Sequence, residues 1–446
     1  MLTDHTFSVP LDHGDPGGEH ITLYAREVAA AGSEGAGSQG TASQGTASQG
    51  TGLPWLLFLQ GGPGHGALRP IGREMWLDRA LEEYRVLLLD QRGTGRSSPA
   101  NRQTLTRLAT PKAQADYLAH FRADSIVRDA EAVRAALGAG EPWSVLGQSF
   151  GGFCAVSYLS LAPEGLREVF ITGGLPGLDV PADDVYRAAY KRVAAKNAAH
   201  YERYPADLER ARSVASHLRE RAARLPGGGL LTIEAFQALG IVLGTSTGSH
   251  RLHYLLEDAF INDTGGADAT GGRDLSDAFL YQAEALLSFA AAPLYAALHE
   301  ACYAQRSVCP RTGWSAQRIR AEFGEFDAET ALDSGAPVYF TGEMIYPWMF
   351  GMDPALRPLR DAAQILAERD EWPDLYDPDR LRANAVPAAA VVYHDDMYVD
   401  REQSLRTAAT IRGLAPWVTN EYEHDGLRVN GPPILDRLIA MARGAA

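Results

Sequence analysis

Lysine, cysteine and long apolar runs are all scarce in this chain of 446 residues. The only lysines are Lys112, Lys191 and Lys196, so arginine supplies nearly all of the 41 basic residues. The 56 acidic residues give a formal net charge of −15, which argues against a general affinity for nucleic acid or anionic membrane. The three cysteines are too few for a disulfide framework, and we expect them to be small buried or half-buried side chains.

Signals for a membrane, for secretion and for metal are missing as well. No run approaches the roughly 18 apolar residues of a membrane span, and the first residues carry neither the basic nor the apolar stretch of a signal peptide. We therefore expect a cytoplasmic protein with no membrane partner. The chain has no H-E-x-x-H motif, no paired-cysteine motif and no dense carboxylate cluster, so we expect neither a metal nor another cofactor.

The length predicts two or three domains at roughly 150 residues each, or one α/β domain with a large insertion. Residues 31–52 hold two tandem copies of Thr-Ala-Ser-Gln-Gly, and such small polar residues predict a flexible loop. After Gly174 the chain becomes mostly helix-like until strand signals return late. We predict an α/β core formed by residues 1–180 and 361–446, with a helical cap at 181–360.

Strand-like and helix-like segments alternate in the core. Strand composition marks 20–28, 53–59, 84–90, 143–148, 168–173, 387–393 and 417–423, and helical spacing marks 124–137, 153–162, 401–412 and 432–443. This alternation predicts a mostly parallel sheet with helices on both faces.

A candidate nucleophile lies in Gly147-Gln-Ser149-Phe-Gly151, which fits G-x-S-x-G. The motif follows an apolar strand and begins a helix, as a nucleophile elbow requires. Such a turn strains the serine backbone, and the small residues at 147 and 151 relieve the crowding. The hydroxyl of Ser149 is then exposed at a helix N-terminus, where negative charge is favoured.

A glycine-rich segment, Gln60-Gly-Gly-Pro-Gly64, directly follows the apolar strand at 53–59. A loop of this kind brings backbone N–H groups close to a substrate oxyanion, and the residue after the nucleophile, Phe150, supplies the second N–H. A phosphate-binding loop is disfavoured because no Lys-Ser/Thr pair follows.

An acid and a histidine follow the last two predicted strands. His394-Asp395-Asp396 comes after the strand at 387–393, and His424 comes after the one at 417–423. The order serine, acid, histidine is the one expected on this fold. The acid would orient the imidazole, which accepts the serine proton. Spacing alone leaves Asp395 and Asp396 equally suitable.

These segments resemble the proline iminopeptidase (prolyl aminopeptidase) family of α/β-hydrolases, in its longer form with an enlarged cap. The resemblance rests on Gly61–Gly64, Asp90–Ser97, Gly147–Gly152, the Asp396/His424 pair, Thr341–Phe350 and Asn420–His424, and it covers nearly the whole chain outside 31–52. One departure is Gln60, where the family usually has histidine.

The resemblance implies an acyl-transfer mechanism. Ser149 attacks the carbonyl of an N-terminal prolyl residue, His424 moves the proton, and Asp396, rather than the fallback Asp395, orients His424. The N–H groups of Gly62 and Phe150 hold the oxyanion. The implied partners are small peptides with a free N-terminal proline, and the oligomeric state is left open.

The resemblance also implies carboxylates in the cap. The substrate α-amine has a pKa of about 7.7–8, and its desolvation needs an opposing charge. Glu343 is the first candidate, Glu300 the second, and Glu257 the reserve; each of them is alternatively a solvated helix charge. Trp348 and Phe350 are expected to line a pocket for the pyrrolidine ring, or simply to pack inside the cap.

Two other functions fit the same sequence. An esterase or a broader aminopeptidase would use the same scaffold, because fold alone does not fix substrate. A catalytically silent binding protein of this fold is the other alternative, although the complete serine, acid and histidine order argues against it.

Overall fold

The computed structural model describes residues 1–30, 52–71, 75–138, 140–261 and 274–445. The predicted flexible loop at 31–52 lies outside the described residues except for Gly52. Among the described residues, no helix is long and apolar enough to cross a membrane. The predicted cytoplasmic location stays a prediction. All three cysteines are buried and unpaired with one another, as expected.

In the described part of the chain, one eight-stranded sheet forms the centre of the molecule. Its strands are β1 (Leu2–Pro10), β2 (His20–Val28), β3 (Trp55–Leu59), β4 (Arg85–Asp90), β5 (Trp143–Gln148), β6 (Leu166–Thr172), β9 (Ala388–Tyr393) and β10 (Leu414–Thr419). Their order across the sheet is β1-β2-β4-β3-β5-β6-β9-β10. β2 is antiparallel to both β1 and β4, and all later pairs are parallel. The predicted α/β-hydrolase fold class is confirmed.

The central strands form where the sequence has continuous apolar runs. Every residue of β3, β4 and β9 is buried, because helices cover both faces of a parallel sheet. The two edge strands differ from the predictions. β1 was not predicted, since its outward residues alternate with half-buried ones. β10 begins at Leu414, three residues before the predicted start, and includes Pro416, which an edge strand tolerates.

The helices from the two core segments of the chain flank the sheet. They are α1 (Met75–Ala80), α2 (Arg102–Leu105), α3 (Pro111–Ala119), α4 (Ala123–Gly138), α5 (Phe150–Leu161), α17 (Arg401–Thr410), α18 (Gly426–Val429) and α19 (Gly431–Ala442), with a 3₁₀ turn at Pro163–Gly165. The four predicted core helices are confirmed within a few residues at each end.

The chain between β6 and β9 forms a mainly helical cap. Its helices are α6 (Ala182–Arg203), α7 (Ala206–Glu220), α8 (Ile233–Ala238), α9 (Gly248–Glu257), α10 (Asp277–Leu287), α11 (Pro293–Leu298), α12 (Ser315–Arg320), α13 (Ala328–Ser334), α14 (Met349–Met352), α15 (Arg360–Glu368) and α16 (Pro378–Arg382). It also holds the ribbon β7 (Ala223–Arg224) and β8 (Leu230–Leu231), and 3₁₀ turns at Leu239–Gly244, Glu300–Tyr303, Gly324–Phe326 and Arg357–Leu359. The predicted domain limits at 180/181 and 360/361 stay a prediction.

A buried ion pair joins the start of the chain to the helices beside β4. Arg92 and Asp129 are each about 1% exposed, and the Arg92 guanidinium donates to both Asp129 oxygens at 2.7 and 2.6 Å. It also donates to the carbonyls of Leu11 and His120, each at 2.7 Å. One arginine thus links the end of β1, the end of α3 and the middle of α4.

Removing that guanidinium should destabilise the whole core. We expect Arg92→Met to lower the free energy of unfolding by about 3–5 kcal/mol, because Asp129 is left as a buried charge without its main partner. Urea denaturation measures the loss. The control is Arg382→Met, which breaks an exposed pair with Asp379 and should cost at most about 1 kcal/mol. Equal losses in the two variants would contradict this account.

Candidate active site

Ser149 occupies a strained turn between β5 and α5. Its φ of 55° and ψ of −124° lie where side-chain-bearing residues are rarely found. The glycines on either side make the turn sterically allowed: a Cβ at Gly147 would lie 2.6 Å from the carbonyl carbon of Gly151, and one at Gly151 would overlap the carbonyl of Leu59. The predicted elbow geometry is therefore present, with Ser149 at the N-terminus of α5.

The glycine-rich loop after β3 lies directly against the candidate nucleophile. A Cβ at Gly61 would be 2.9 Å from the Cβ of Ser149. The carbonyl of Gln60 accepts a hydrogen bond from the Gln91 side chain at 2.9 Å, which fixes the start of the loop. Phe150 is the first residue of α5, where an N–H has no acceptor within the helix. The two predicted oxyanion donors, Gly62 and Phe150, thus belong to the two segments that meet at Ser149.

Asp90, at the end of β4, holds the next part of the same loop. Its fully buried carboxylate accepts from the backbone N–H groups of Ala67 and Arg96, each at 2.8 Å, and pairs with Arg69. The segment Asp90–Ser97, which carries part of the family resemblance, is therefore a scaffold for the glycine-rich loop.

Asp396 and His424 form a buried pair after β9 and β10. The two residues are 1% and 9% exposed, and His424 Nδ1 lies 2.6 Å from Asp396 Oδ2. Asp396 Oδ1 accepts from the N–H groups of Tyr398 and Val399 at 2.8 and 3.1 Å. Burial alone would lower the pKa of His424, but the charge and hydrogen bond of Asp396, together with the charges of Glu343 and Asp425, outweigh it, so that the pKa is raised.

Asp395 is turned away from this pair. It is exposed and contacts the Nδ1 of His394 at 2.8 Å. Residues 172–174 connect the pair to the nucleophile: the carbonyl of Thr172 accepts from the Ser149 N–H at 2.9 Å, and a Cβ at Gly173 would lie 3.2 Å from His424 Nδ1. Ser149, Asp396 and His424 therefore all lie at the carboxyl ends of the parallel strands.

Glu343 is a cap carboxylate whose charge interacts with that of His424. Burial raises its pKa to about 7, although the nearby His424 and a hydrogen bond from Tyr295 oppose that rise. The Tyr295 hydroxyl donates to Glu343 Oε2 at 3.0 Å. Tyr295 belongs to α11, which packs on the glycine-rich loop, since a Cβ at Gly64 would be 2.7 Å from the Tyr295 nitrogen. No motif in the sequence indicates the contact that Tyr295 makes with Glu343.

The other predicted cap residues are placed differently. Trp348 lines a small, mostly apolar cavity together with Glu343. Phe350 does not line that cavity; its ring packs against Trp314, with centroids 5.7 Å apart. Glu300 is buried, but its Oε1 accepts from the N–H of Ala316 at 2.9 Å and so caps α12. Glu257 lies at the surface, 3.2 Å from Arg210. Among the described residues, no three His, Cys, Asp or Glu side chains group as metal ligands.

A serine on a strand-to-helix elbow, with an acid and a histidine after two later strands, defines an α/β-hydrolase, and a family model for the alpha/beta hydrolase fold matches residues 54–223. The chain is 48% identical over 440 residues to a proline iminopeptidase of Aeromonas sobria, covering 98% of this chain and 96% of that protein. It is 34% identical to proline iminopeptidase aneH of Aspergillus aculeatus, covering 98% and 92%. The chain therefore belongs to the proline iminopeptidase family, as its motifs predicted.

The two adjacent aspartates give a direct test of the site. We expect Asp396→Asn to lower kcat by on the order of 10⁴, because an amide there stabilises the wrong imidazole tautomer. Asp395→Asn is the matched control. It should change kcat by less than about twofold, because the Asp395 side chain is exposed and lies outside the Asp396–His424 pair. Steady-state kinetics of both variants decide the point. A large loss in Asp395→Asn with an active Asp396→Asn would reverse the assignment.

Proposed function

We propose that this chain is a serine aminopeptidase that releases N-terminal proline from small peptides. Ser149 is the nucleophile, His424 the general base and acid, and Asp396 the residue that orients His424. The proposal is supported by the arrangement of these three side chains and by the two full-length relatives, both of which carry the name proline iminopeptidase. The observation that carries the proposal beyond a general hydrolase is the half-buried Glu343 carboxylate, whose charge interacts with that of His424.

The reaction begins when His424 accepts the proton of Ser149 and the serine oxygen attacks the prolyl carbonyl. The N–H groups of Gly62 and Phe150 stabilise the resulting oxyanion. His424 then protonates the leaving amine. In the second half of the reaction His424 accepts a proton from water, the water oxygen attacks the prolyl carbonyl, and His424 returns the proton to the Ser149 oxygen as free proline leaves. The raised pKa of His424 suits a group that must both accept and return a proton near neutral pH.

Glu343 supplies the charge that an exopeptidase site requires. A cationic amine in an enclosed cavity is stable only beside a compensating carboxylate. Trp348, which shares the cavity with Glu343, is proposed to contact the pyrrolidine ring. Glu300 and Phe350 remain weaker candidates, because their contacts are to α12 and Trp314. We also propose that residues 181–360 act as the cap over this cavity and that the protein works in the cytoplasm.

A substrate panel tests the proposed activity. Wild-type enzyme should hydrolyse a prolyl amide much faster than an alanyl amide, and Ser149→Ala should lose both activities. The measurement is kcat/KM for prolyl and alanyl amides and for a short acyl ester. Inert prolyl amides with rapid ester turnover would replace the peptidase by an esterase, and a Ser149 that fails to react with a serine-directed phosphonate would indicate a binding protein.

The amine site is tested through its pH dependence. Glu343, with its pKa of about 7, is protonated below that pH and cannot oppose the amine charge. The ratio of kcat/KM for the prolyl amide to that for the ester should therefore rise from pH 6 to pH 7, a range in which the substrate amine is still mostly protonated. Taking this ratio removes the titration of His424, which both substrates share.

Glu343→Gln is the matching variant. It should lower kcat/KM for the prolyl amide by about ten- to a hundredfold, the range expected for a lost charged hydrogen bond, and should leave the ester nearly unchanged. The ratio should also become nearly independent of pH between pH 6 and pH 7, where the substrate amine stays mostly protonated. Equal losses on amide and ester would remove Glu343 from this role.

A further inference from the structure

We propose that the cap, besides covering the cavity, positions His424. The histidine sits in a short irregular segment, residues 420–425, between β10 and α18; we name it the histidine loop. Three successive residues of this loop, Glu423, His424 and Asp425, are each held by the cap. The inference rests on the proposed role of His424 as the general base.

The first contact comes from α6. The Lys196 ammonium donates to both carboxylate oxygens of Glu423, each at 2.6 Å, and the lysine side chain is only 14% exposed. The pKa of the half-buried Glu423 is raised by burial, against the opposing effect of Lys196. Salt screens a partly buried ion pair less than an exposed one. The attraction between Lys196 and Glu423 therefore holds the histidine loop against α6.

The second and third contacts come from the turn that joins the 3₁₀ segment Leu239–Gly244 to α9. The backbone N–H of His424 itself donates to the carbonyl of Gly244 at 3.2 Å. The buried carboxylate of Asp425 accepts from the backbone N–H of Ser246 at 3.0 Å and from its hydroxyl at 2.6 Å. The backbone N–H of His424 and the side chain of the next residue are therefore anchored to the cap.

The same cap segment also reaches the acid. The Tyr398 hydroxyl donates to the carbonyl of Ile241, while the Tyr398 backbone N–H donates to Asp396. The Tyr398 ring stands perpendicular to the imidazole of His424, with centroids 4.9 Å apart. Tyr398 thus links the cap and the histidine through its side chain, and the acid through its backbone N–H.

These contacts matter because the Asp396 bond restrains only one nitrogen of the imidazole. The position of the other nitrogen relative to Ser149 follows from where the backbone of the histidine loop lies. A misplacement of about 1 Å can cost on the order of a hundredfold in rate. Turnover of every acyl substrate, including an ester that has no amine for Glu343, should therefore depend on the cap contacts to this loop.

The test uses Lys196→Met, Ser246→Ala and the double variant in the full-length enzyme. We expect the double variant to lower kcat for the ester and the prolyl amide by about tenfold or more, with KM within about twofold for both. The rate at which a serine-directed phosphonate modifies Ser149 should fall in parallel, because that reaction needs a placed base but no substrate amine. Lys196→Arg, which keeps the ion pair, should restore most of the rate.

Thr245→Val is the matched control. Its hydroxyl donates to the carbonyl of Val242 inside the cap, so this variant should keep wild-type kcat while changing the same turn. Melting midpoints of all variants are recorded; if the double variant melts below the assay temperature, Ser246→Ala is measured in its place.

Wild-type kcat in a folded double variant, or an equal loss in Thr245→Val, would overturn the inference. A raised KM with unchanged kcat would do the same, since it would assign these contacts to substrate binding. Ser149→Ala separates the two proposals. If it keeps full activity, the proposed function fails; if it is inactive while the double variant is not, only the positioning role fails.

Discussion

The steric crowding at the end of β5 is the constraint on which the rest of this site depends. Ser149 adopts a positive φ, and the backbone around it approaches so closely that Gly147 and Gly151 have no room for a side chain. Because the turn is packed in this way, β3, β5 and β6 all end within reach of one serine. The glycine-rich loop, the residues after β6 and the start of α5 then have fixed places around it, and the cap and the Asp396–His424 pair complete the arrangement.

Much of this architecture could be predicted from the sequence, since buried parallel strands leave continuous apolar runs. The runs before Gly61, Ser149 and Asp396 located the functional loops because each loop begins where a run ends. The edge strands were predicted poorly for the converse reason. Exposed residues alternate with half-buried ones along most of β1, and Pro416 interrupts the strand composition at the start of β10. Neither strand therefore has the continuous apolar run of a strand that is covered on both faces.

Contacts between segments that are distant along the chain could not be predicted from the sequence. Asp395 and Asp396 have the same chemistry, and the family resemblance implied Asp396; the physical difference between them is the turn at 396–399, whose N–H groups donate to the Asp396 carboxylate. Tyr295 and Tyr398 acquire their roles from neighbours about fifty and more than 150 residues away along the chain. Glu300 matched the expected residue type, yet its carboxylate caps a helix, because a buried N-terminal N–H group needs an acceptor wherever it finds one.

The antiparallel direction of β2 has a consequence for how this protein can be handled. Val28 pairs with Val86 at the beginning of β4, and Trp55 pairs with Arg85 beside it. The chain therefore leaves β2 and enters β3 at the amino ends of the parallel strands, whereas Ser149, Asp396 and His424 follow their carboxyl ends. A fluorescent domain or a surface-attachment sequence spliced between these two strands would therefore be joined to the enzyme through Val28 and Trp55, at the end of the sheet opposite Ser149.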